Sequence, residues 1–299
     1  MKNEVKKLVT HNGRFHADDV FASAALSLLL EKDKTKFTIT RTRDEQKIKN
    51  ADYVYDVGAI YNAKKNRFDH HQRGYKEKRK NGILYSSFGL IWKKFGVKIS
   101  GSEETKEFLD KILVEQIDAN DNGIALFKPL TEHTSNYDIS SVVSSFLPER
   151  GREYLMKDFN KAVTFAKTIL RSLINQHVSS LKVKAKFDQA YKKSKNQKLL
   201  IVDFDLSSYY LAILGTGYKN LLYVVSKDGD FWKVGATRKR VGSFESKKNL
   251  PKKWSALRNE DLQKVTGVKD AVFCHRNLHM AAAKSKEGAI KLAQIALES

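Results

Sequence analysis

Near its start the chain alternates short β-like runs with amphipathic helical ones: KKLVTH, then FHADDVFASAALSLLL, then KFTITRTR, then ADYVYDVG, each set off by polar or turn residues. Segments of strand and helix length in this order bury their apolar sides as βαβ units on a mostly parallel sheet. Helical pieces follow at SSFGLIWKKFG and in EETKEFLDKILVEQIDAND, where Phe108, Leu109, Ile112, Leu113 and Ile117 form one apolar arc. From about Arg152 to Lys195 the chain has neither Pro nor Gly, and the pattern predicts one or two helices leading out of the first unit. After Asn196 strand patterns return in KLLIVDFDL and in NLLYVVSKDGDFWKVGATR, the latter with an Asp-Gly hairpin signal between Lys227 and Asp230. DAVFCHRN as a strand and KEGAIKLAQIALES as a helix close the chain. The expected organisation is an α/β domain on a mostly parallel sheet over 1–150, a helical connector over 151–195, and a smaller C-terminal α/β domain over 196–299.

Composition narrows the partners. The formal charge of +21, from 55 Lys and Arg against 34 Asp and Glu, attracts polyanions, nucleic acid first among them. A Lys-rich solvated surface would give the same number. The single cysteine, Cys274, excludes a disulfide within one chain and any Cys-based zinc site, which fits a reducing compartment. MKNEVKKLV has neither the apolar stretch of a signal peptide nor the character of a transit peptide, and no apolar run approaches the roughly 20 residues of a membrane span. A cytoplasmic protein that does not enter the membrane is the expectation.

In a parallel sheet, ligands gather beyond the carboxyl ends of the strands, where loops and helix amino ends converge. His11 ends the first strand, Asp56 ends ADYVYDVG, and His70 and His71 follow Asp69 in NRFDHHQ at a third such edge. Asp18 and Asp19 fall in the first turn of the next helix, where the dipole favours carboxylates. Taken singly, each has an ordinary explanation: a strand-end histidine bonded to backbone, a helix cap, a turn residue. Taken together, four of the eight histidines lie before residue 72, each near a carboxylate. Carboxylates with a few imidazoles and no thiolate suit a pair of hard to borderline cations, Mn²⁺ or Mg²⁺. Two such ions roughly 3.5–4 Å apart would hold a phosphate and lower the pKa of a bridging water enough to make hydroxide near neutral pH. That is the chemistry of phosphoester hydrolysis.

The ordered motifs HNGRFHADD, DVG, DHHQ and DANDNG resemble the DHH phosphoesterase superfamily, and within it the Myg-type branch, a metal-dependent exonuclease family that degrades RNA from the 3′ end. The similarity runs essentially from end to end, with SFESKKNLPKKWSALRNEDL, VFCH and KEGA resembling the same family's carboxyl-terminal domain. The resemblance implies one metal held by His11, His16 and Asp56, and a second by Asp18, Asp56, His70 and Asp118. Asp56 would then be the bridge. His71 would face substrate phosphate and Asp69 would support the imidazoles. Where this motif has His16, the wider superfamily often has aspartate. Asp19 receives no role, and helical periodicity by itself puts Asp118 off the apolar face.

Candidate phosphate contacts come from several places. Arg41 and Arg43 end the second predicted strand on the crevice side, and Arg73 follows DHHQ. Superfamily relatives use a Gly-rich, His-containing loop in the second domain; the comparable stretch here is CHRNLHMAAAKSKEG, with Ala281, Ala282 and Ala283 in place of glycines, leaving His275, Arg276 and Lys284 as candidates. In TRKRVG, Arg238, Lys239 and Arg240 would line a cleft between the domains. The basic runs KVKAKF and YKKSKNQK have aromatics alongside that suit a single strand.

The function expected is a metal-dependent phosphodiesterase with a dinuclear Mn²⁺ or Mg²⁺ centre, a 3′–5′ exonuclease acting on single-stranded RNA. A hydrolase of small phosphates, such as short oligonucleotides, cyclic dinucleotides or pyrophosphate, would keep the chemistry and change the substrate. A non-catalytic basic RNA-binding protein is the reading from another class.

Overall fold

The computed structural model describes residues 5–149, 152–206, 217–241, 243 and 245–299. Gly242 of TRKRVG, Phe244 of SFESKK and the 150/151 boundary lie outside the described residues. The chain divides into two units, Met1–Val178 and Ser179–Ser299.

In the first unit, β1 (Lys6–Thr10), α1 (Ala17–Lys32) and β2 (Phe37–Arg41) form the opening βαβ unit. A short α2 (Glu45–Lys49) then precedes β3 (Tyr53–Tyr55), β4 (Tyr61–Asn62) and β5 (Arg67–Phe68). The sheet order is β2-β1-β3-β5-β4; its first four strands are parallel, and β4 runs antiparallel to β5 at the edge. Helix α1 is apolar or small on nearly every side, and its first eleven residues are all buried. A helix of that kind belongs inside a core, not on its surface. It packs against α3 (Ser87–Ser100), with Phe21 of one against Phe88 of the other, ring centroids 5.6 Å apart.

The predicted single helical arc after residue 102 is interrupted. Helix α4 (Glu103–Leu109) and α5 (Glu115–Asp121) are joined by a π-helical turn over Asp110–Val114. A π turn accommodates about one extra residue, so everything after it is rotated by about 100° from where a regular α-helix would place it. Ile117 remains in the core, but Asp118 turns inward with it, and both are buried. The short α6 (Ile139–Ser144) follows.

One helix, α7 (Met156–Lys193), covers most of the Pro- and Gly-free stretch. Phe159, Ala162, Val163, Ala166 and Leu170 join the core of the first unit, while Phe187 packs with Leu200, Val202 and Val224 of the second.

The second unit holds β6 (Leu199–Asp205), β7 (Tyr223–Asp228), β8 (Phe231–Ala236), β9 (Ala271–Cys274) and β10 (Met280–Ala283) in the order β6-β7-β8-β10-β9. Among the described residues of this unit, only β6 and β7 pair in parallel. Asp228 pairs with Phe231 across the expected hairpin, where Gly229 takes the left-handed conformation (φ 59°) that its missing Cβ permits. The helix Lys286–Glu298 lays Ala289, Leu292, Ala293 and Ala296 on this sheet, the stripe its sequence spacing predicts. Among the described residues no helix is long and apolar enough to cross a membrane.

Candidate metal centre

Strands β1, β3 and β5 are parallel neighbours, so their carboxyl ends lie along one edge of the sheet. Val9 pairs with Val54 and Tyr55 with Phe68; continuing that register by two residues and by one puts His11, Asp56 and Asp69 in one row. The amino end of α1 brings His16, Asp18 and Asp19 to the same edge, and the last turn of α5 brings Asp121. His16 precedes the first turn of α1, and its backbone N–H donates to Asp19 Oδ1 at 2.7 Å. The carboxylate that caps the helix thereby keeps its other oxygen directed at His11, 3.4 Å away.

Asp56 is the centre of the arrangement. Its Oδ2 lies 3.2 Å from His11 Nε2, and its Oδ1 lies 3.4 Å from His70 Nε2 and 3.4 Å from His71 Nδ1. The residue sits in the left-handed region (φ 55°), which short polar Asp tolerates better than most residues and which costs about 1–3 kcal/mol. His70 Nε2 is also 3.2 Å from Asp121 Oδ2 and 3.8 Å from Asp18 Oδ2. His71 is held from behind: Asp69 Oδ1 is 2.8 Å from its Nδ1 and accepts its backbone N–H at 3.1 Å, while Asp69 Oδ2 accepts Ala59 N–H at 2.5 Å.

Three groups of ligand atoms result: His11, His16, Asp19 and Asp56; Asp56, His70 and His71; Asp18, His70 and Asp121. Within each, one donor atom per residue lies within 4.8 Å of the others, a span that a divalent ion with bonds of about 2.0–2.6 Å can bridge. The donor set fits such an ion. Asp19 Oδ2 and His70 Nε2 are buried and make no well-formed hydrogen bond among the described residues, although Asp19 Oδ2 lies 3.4 Å from His11 Nε2 and His70 Nε2 lies 3.2 Å from Asp121 Oδ2. Buried polar atoms left open in this way normally have a partner, and a cation supplies one. All residues of the three groups except the fully buried Asp19 line a cavity of about 1170 Å³ that Arg43, Lys49 and Asn120 also line.

The electrostatics carry the same message. Burial alone would depress the imidazoles of His11 and His70, but the Asp56 carboxylate, joined by Asp19 at the first and by Asp18 and Asp121 at the second, raises both to about 9. Burial pushes the carboxyl of Asp19 up to about 7 and that of Asp121 up to about 8, and raises Asp18 as well. Burial opposes ionisation of Asp56 too, yet His11 and His70 hold it well below the ordinary carboxylate range. So many acids in one buried place require positive charge, from protons or from metal.

Five of the six residues that the resemblance implies as ligands, His11, His16, Asp18, Asp56 and His70, come together here. Asp118 does not. Its Oδ2 accepts from Arg79 Nε at 2.8 Å and its Oδ1 from Ser86 N at 3.0 Å, and Asp121 stands at the cavity instead. The π turn is the reason: it swings Asp118 into the helix packing, one turn short of the sheet edge. Both aspartates belong to the DANDNG motif, so the signal for Asp121 was in the sequence; the choice between them was not. Asp19, which had no role, joins the first group.

The basic candidates divide. Arg43 lines the cavity and donates to Asn12 Oδ1 at 2.6 Å. Arg41 turns away from the phosphate role expected for it: its guanidinium lies 4.6 Å from the Phe159 ring and 5.4 Å from Phe15, and donates to the Gly13 carbonyl, so it braces the HNGRF loop. Arg73 is exposed and outside the cavity lining. In the second unit, Arg238 follows β8 and His275 follows β9, and both strands run antiparallel to β10, so the two residues share one end of that sheet. His279 joins them, its ring 4.1 Å from that of His275; burial and the charges of His275 and Arg238 hold it down to about 4. Lys239 is paired with Glu245, and Arg240, Arg276 and Lys284 are exposed.

Among known proteins, residues 7–297 match the family model MYG1_exonuc, described as an uncharacterised protein family (UPF0160). The MYG1 protein C694.04c of Schizosaccharomyces pombe is 31% identical over 327 residues, covering 99% of this chain and 98% of that protein. The MYG1 exonuclease of Homo sapiens is 28% identical over 331 residues, covering 97% and 85%. Of solved structures, RecJ in complex with Mn²⁺ from Thermus thermophilus is similar at 12% identity and a TM-score of 0.29, over 98% of this chain and 52% of that one, a likeness too distant to speak for the site.

Proposed function

The chain belongs to the MYG1_exonuc family, and from that premise we propose that it is a metal-dependent phosphodiesterase that shortens single-stranded RNA from its 3′ end. The observation that carries the reading is Asp56: one carboxylate placed between two imidazole-containing groups, with an oxygen toward each. His11, His16, Asp19 and Asp56 would hold one divalent cation, Mn²⁺ or Mg²⁺, and Asp18, Asp56, His70 and Asp121 the other. Cations bound there supply Lewis acidity and lower the pKa of water.

The chain's own groups do the rest. Asp69 fixes the His71 ring through Nδ1 and raises its pKa, so that His71, with its side chain 61% exposed, offers an N–H to a phosphate oxygen. Arg43 and Lys49 on the cavity wall neutralise the charge of an entering backbone. The net charge of +21 favours a polyanion over a small phosphate, and it makes binding salt-dependent.

The test is product analysis on single-stranded RNA labelled at each end in turn, with Mn²⁺ and Mg²⁺ supplied separately. Stepwise shortening from the 3′ end that weakens steeply as salt rises is expected. Shortening from the 5′ end contradicts the direction, and turnover restricted to fragments of a few nucleotides, cyclic dinucleotides or pyrophosphate contradicts the polymer substrate.

A further inference from the structure

A chain of buried contacts leads from Asp18 away from the cavity. Asp18 Oδ1 accepts from Ser86 Oγ at 2.5 Å and from Phe88 N–H at 2.6 Å, and Oδ2 accepts from Ser87 N–H at 3.1 Å. Ser86 Oγ also lies 2.7 Å from Asp118 Oδ1. Behind Asp118 stands Arg79, with Nε 2.8 Å and Nη2 2.7 Å from Asp118 Oδ2. The remaining edge of the guanidinium forks onto Asp110 at 2.5 and 2.9 Å, and its face lies over the Tyr85 ring at 4.7 Å. Asp18, Ser86 and Asp118 are fully buried, and Arg79 is 7% exposed.

This arrangement sets two carboxylates one hydroxyl apart, and Ser86 has a single proton to share between them. Unneutralised, Asp118 would repel Asp18 at short range in a poorly screened interior. Arg79 removes that repulsion. The π turn is what lets one arginine reach both Asp110 and Asp118: eight residues of regular α-helix would set them about 80° apart, and the extra residue brings them to about 20°. Gly89 completes the fit, since a Cβ there would run into the Asp118 carboxylate.

We propose that Arg79 is a positioning residue for the second cation: by neutralising Asp118 it lets the Ser86–Asp118 pair fix the Asp18 carboxylate with Oδ2 toward His70. The inference rests on Asp18 being a ligand in the proposed function. It assigns Asp118 the opposite role to a ligand, that of a buried anion whose charge must be cancelled.

The test is a titration of metal-free full-length protein with MnCl₂, followed by calorimetry and by the electron paramagnetic resonance of free Mn²⁺, so that no turnover is needed. Wild type is expected to take two ions. Arg79→Met is expected to weaken one of them by about 10–100-fold, the usual effect of removing a partner behind a ligand. Asp118→Asn is expected to keep both, and the double variant Arg79→Met/Asp118→Asn to recover most of the loss, which a merely structural role of Arg79 would not produce. Asp18→Asn serves as the reference for a lost ligand. The proposal is overturned if Asp118→Asn loses an ion as Asp18→Asn does, if Arg79→Met binds like wild type, or if the double variant is no better than Arg79→Met. Should Arg79→Met not fold, Arg79→Lys, which keeps the charge without the fork, is expected to fall between wild type and Asp18→Asn, and wild-type binding would count against the proposal. Normal titrations with no RNA hydrolysis would refute the proposed function and leave this inference standing.

Discussion

Asp56→Asn is expected to lower the rate of RNA hydrolysis by roughly 1000-fold or more, beyond the loss of about 10²–10³ typical when one group stabilising the transition state is removed. Asp56 contributes to two of the three ligand groups and faces His11 and His70 with different oxygens. An amide at this position turns one acceptor into a donor aimed at an imidazole. Asparagine is the informative replacement, because it also tolerates the left-handed backbone (φ 55°) of this position. Alanine would add strain of about 1–2 kcal/mol and mix a folding effect with a chemical one. Initial rates on labelled RNA, with far-UV circular dichroism as the control, measure the effect. An Asp56→Asn enzyme with wild-type turnover would remove the carboxylate from the mechanism.

The second large effect is on stability. Asp18, Asp19, Asp56 and Asp121 crowd one edge of the first sheet, and among the described residues their ion-pair partners within 4 Å are imidazoles. Chelation should therefore loosen the edge as well as abolish hydrolysis. A ligand at 100 times its Kd stabilises the folded state by about 2.7 kcal/mol per site, so two Mn²⁺ ions at that excess add about 5 kcal/mol. Differential scanning calorimetry against Mn²⁺ concentration should show a rising Tm, with EDTA reversing it. Hydrogen exchange should localise the gain to the loop after β1, the start of α1, the Asp69–His71 segment and the end of α5. A melting profile indifferent to both Mn²⁺ and EDTA would contradict the reading of the clusters as cation sites.

Much of this was legible in the sequence because it depends on local order. Alternating strand and helix patterns imply parallel strands, and parallel strands bring their carboxyl ends together, which is how His11, Asp56 and His70 meet. What could not be read depends on distant or cumulative geometry. The π turn at Asp110–Val114 leaves no distinctive residue signature, yet it decides that Asp118 faces Arg79 while Asp121 reaches the cavity. Arg41 stands at a strand end, as expected of a phosphate clamp, but Phe159, far along the chain, supplies the ring that captures it. Asp19 receives no role from the sequence; in the structure one of its oxygens caps the helix and the other remains open beside His11.

The decisive experiment on the sharing of Asp56 by two neighbouring cations uses crystals grown with MnCl₂ and measured at a wavelength where manganese scatters anomalously. Two peaks in the cavity are expected, one ringed by His11, His16 and Asp19, the other by Asp18, His70 and Asp121, with Asp56 touching both; a single peak, or manganese bound by Asp118, would contradict it.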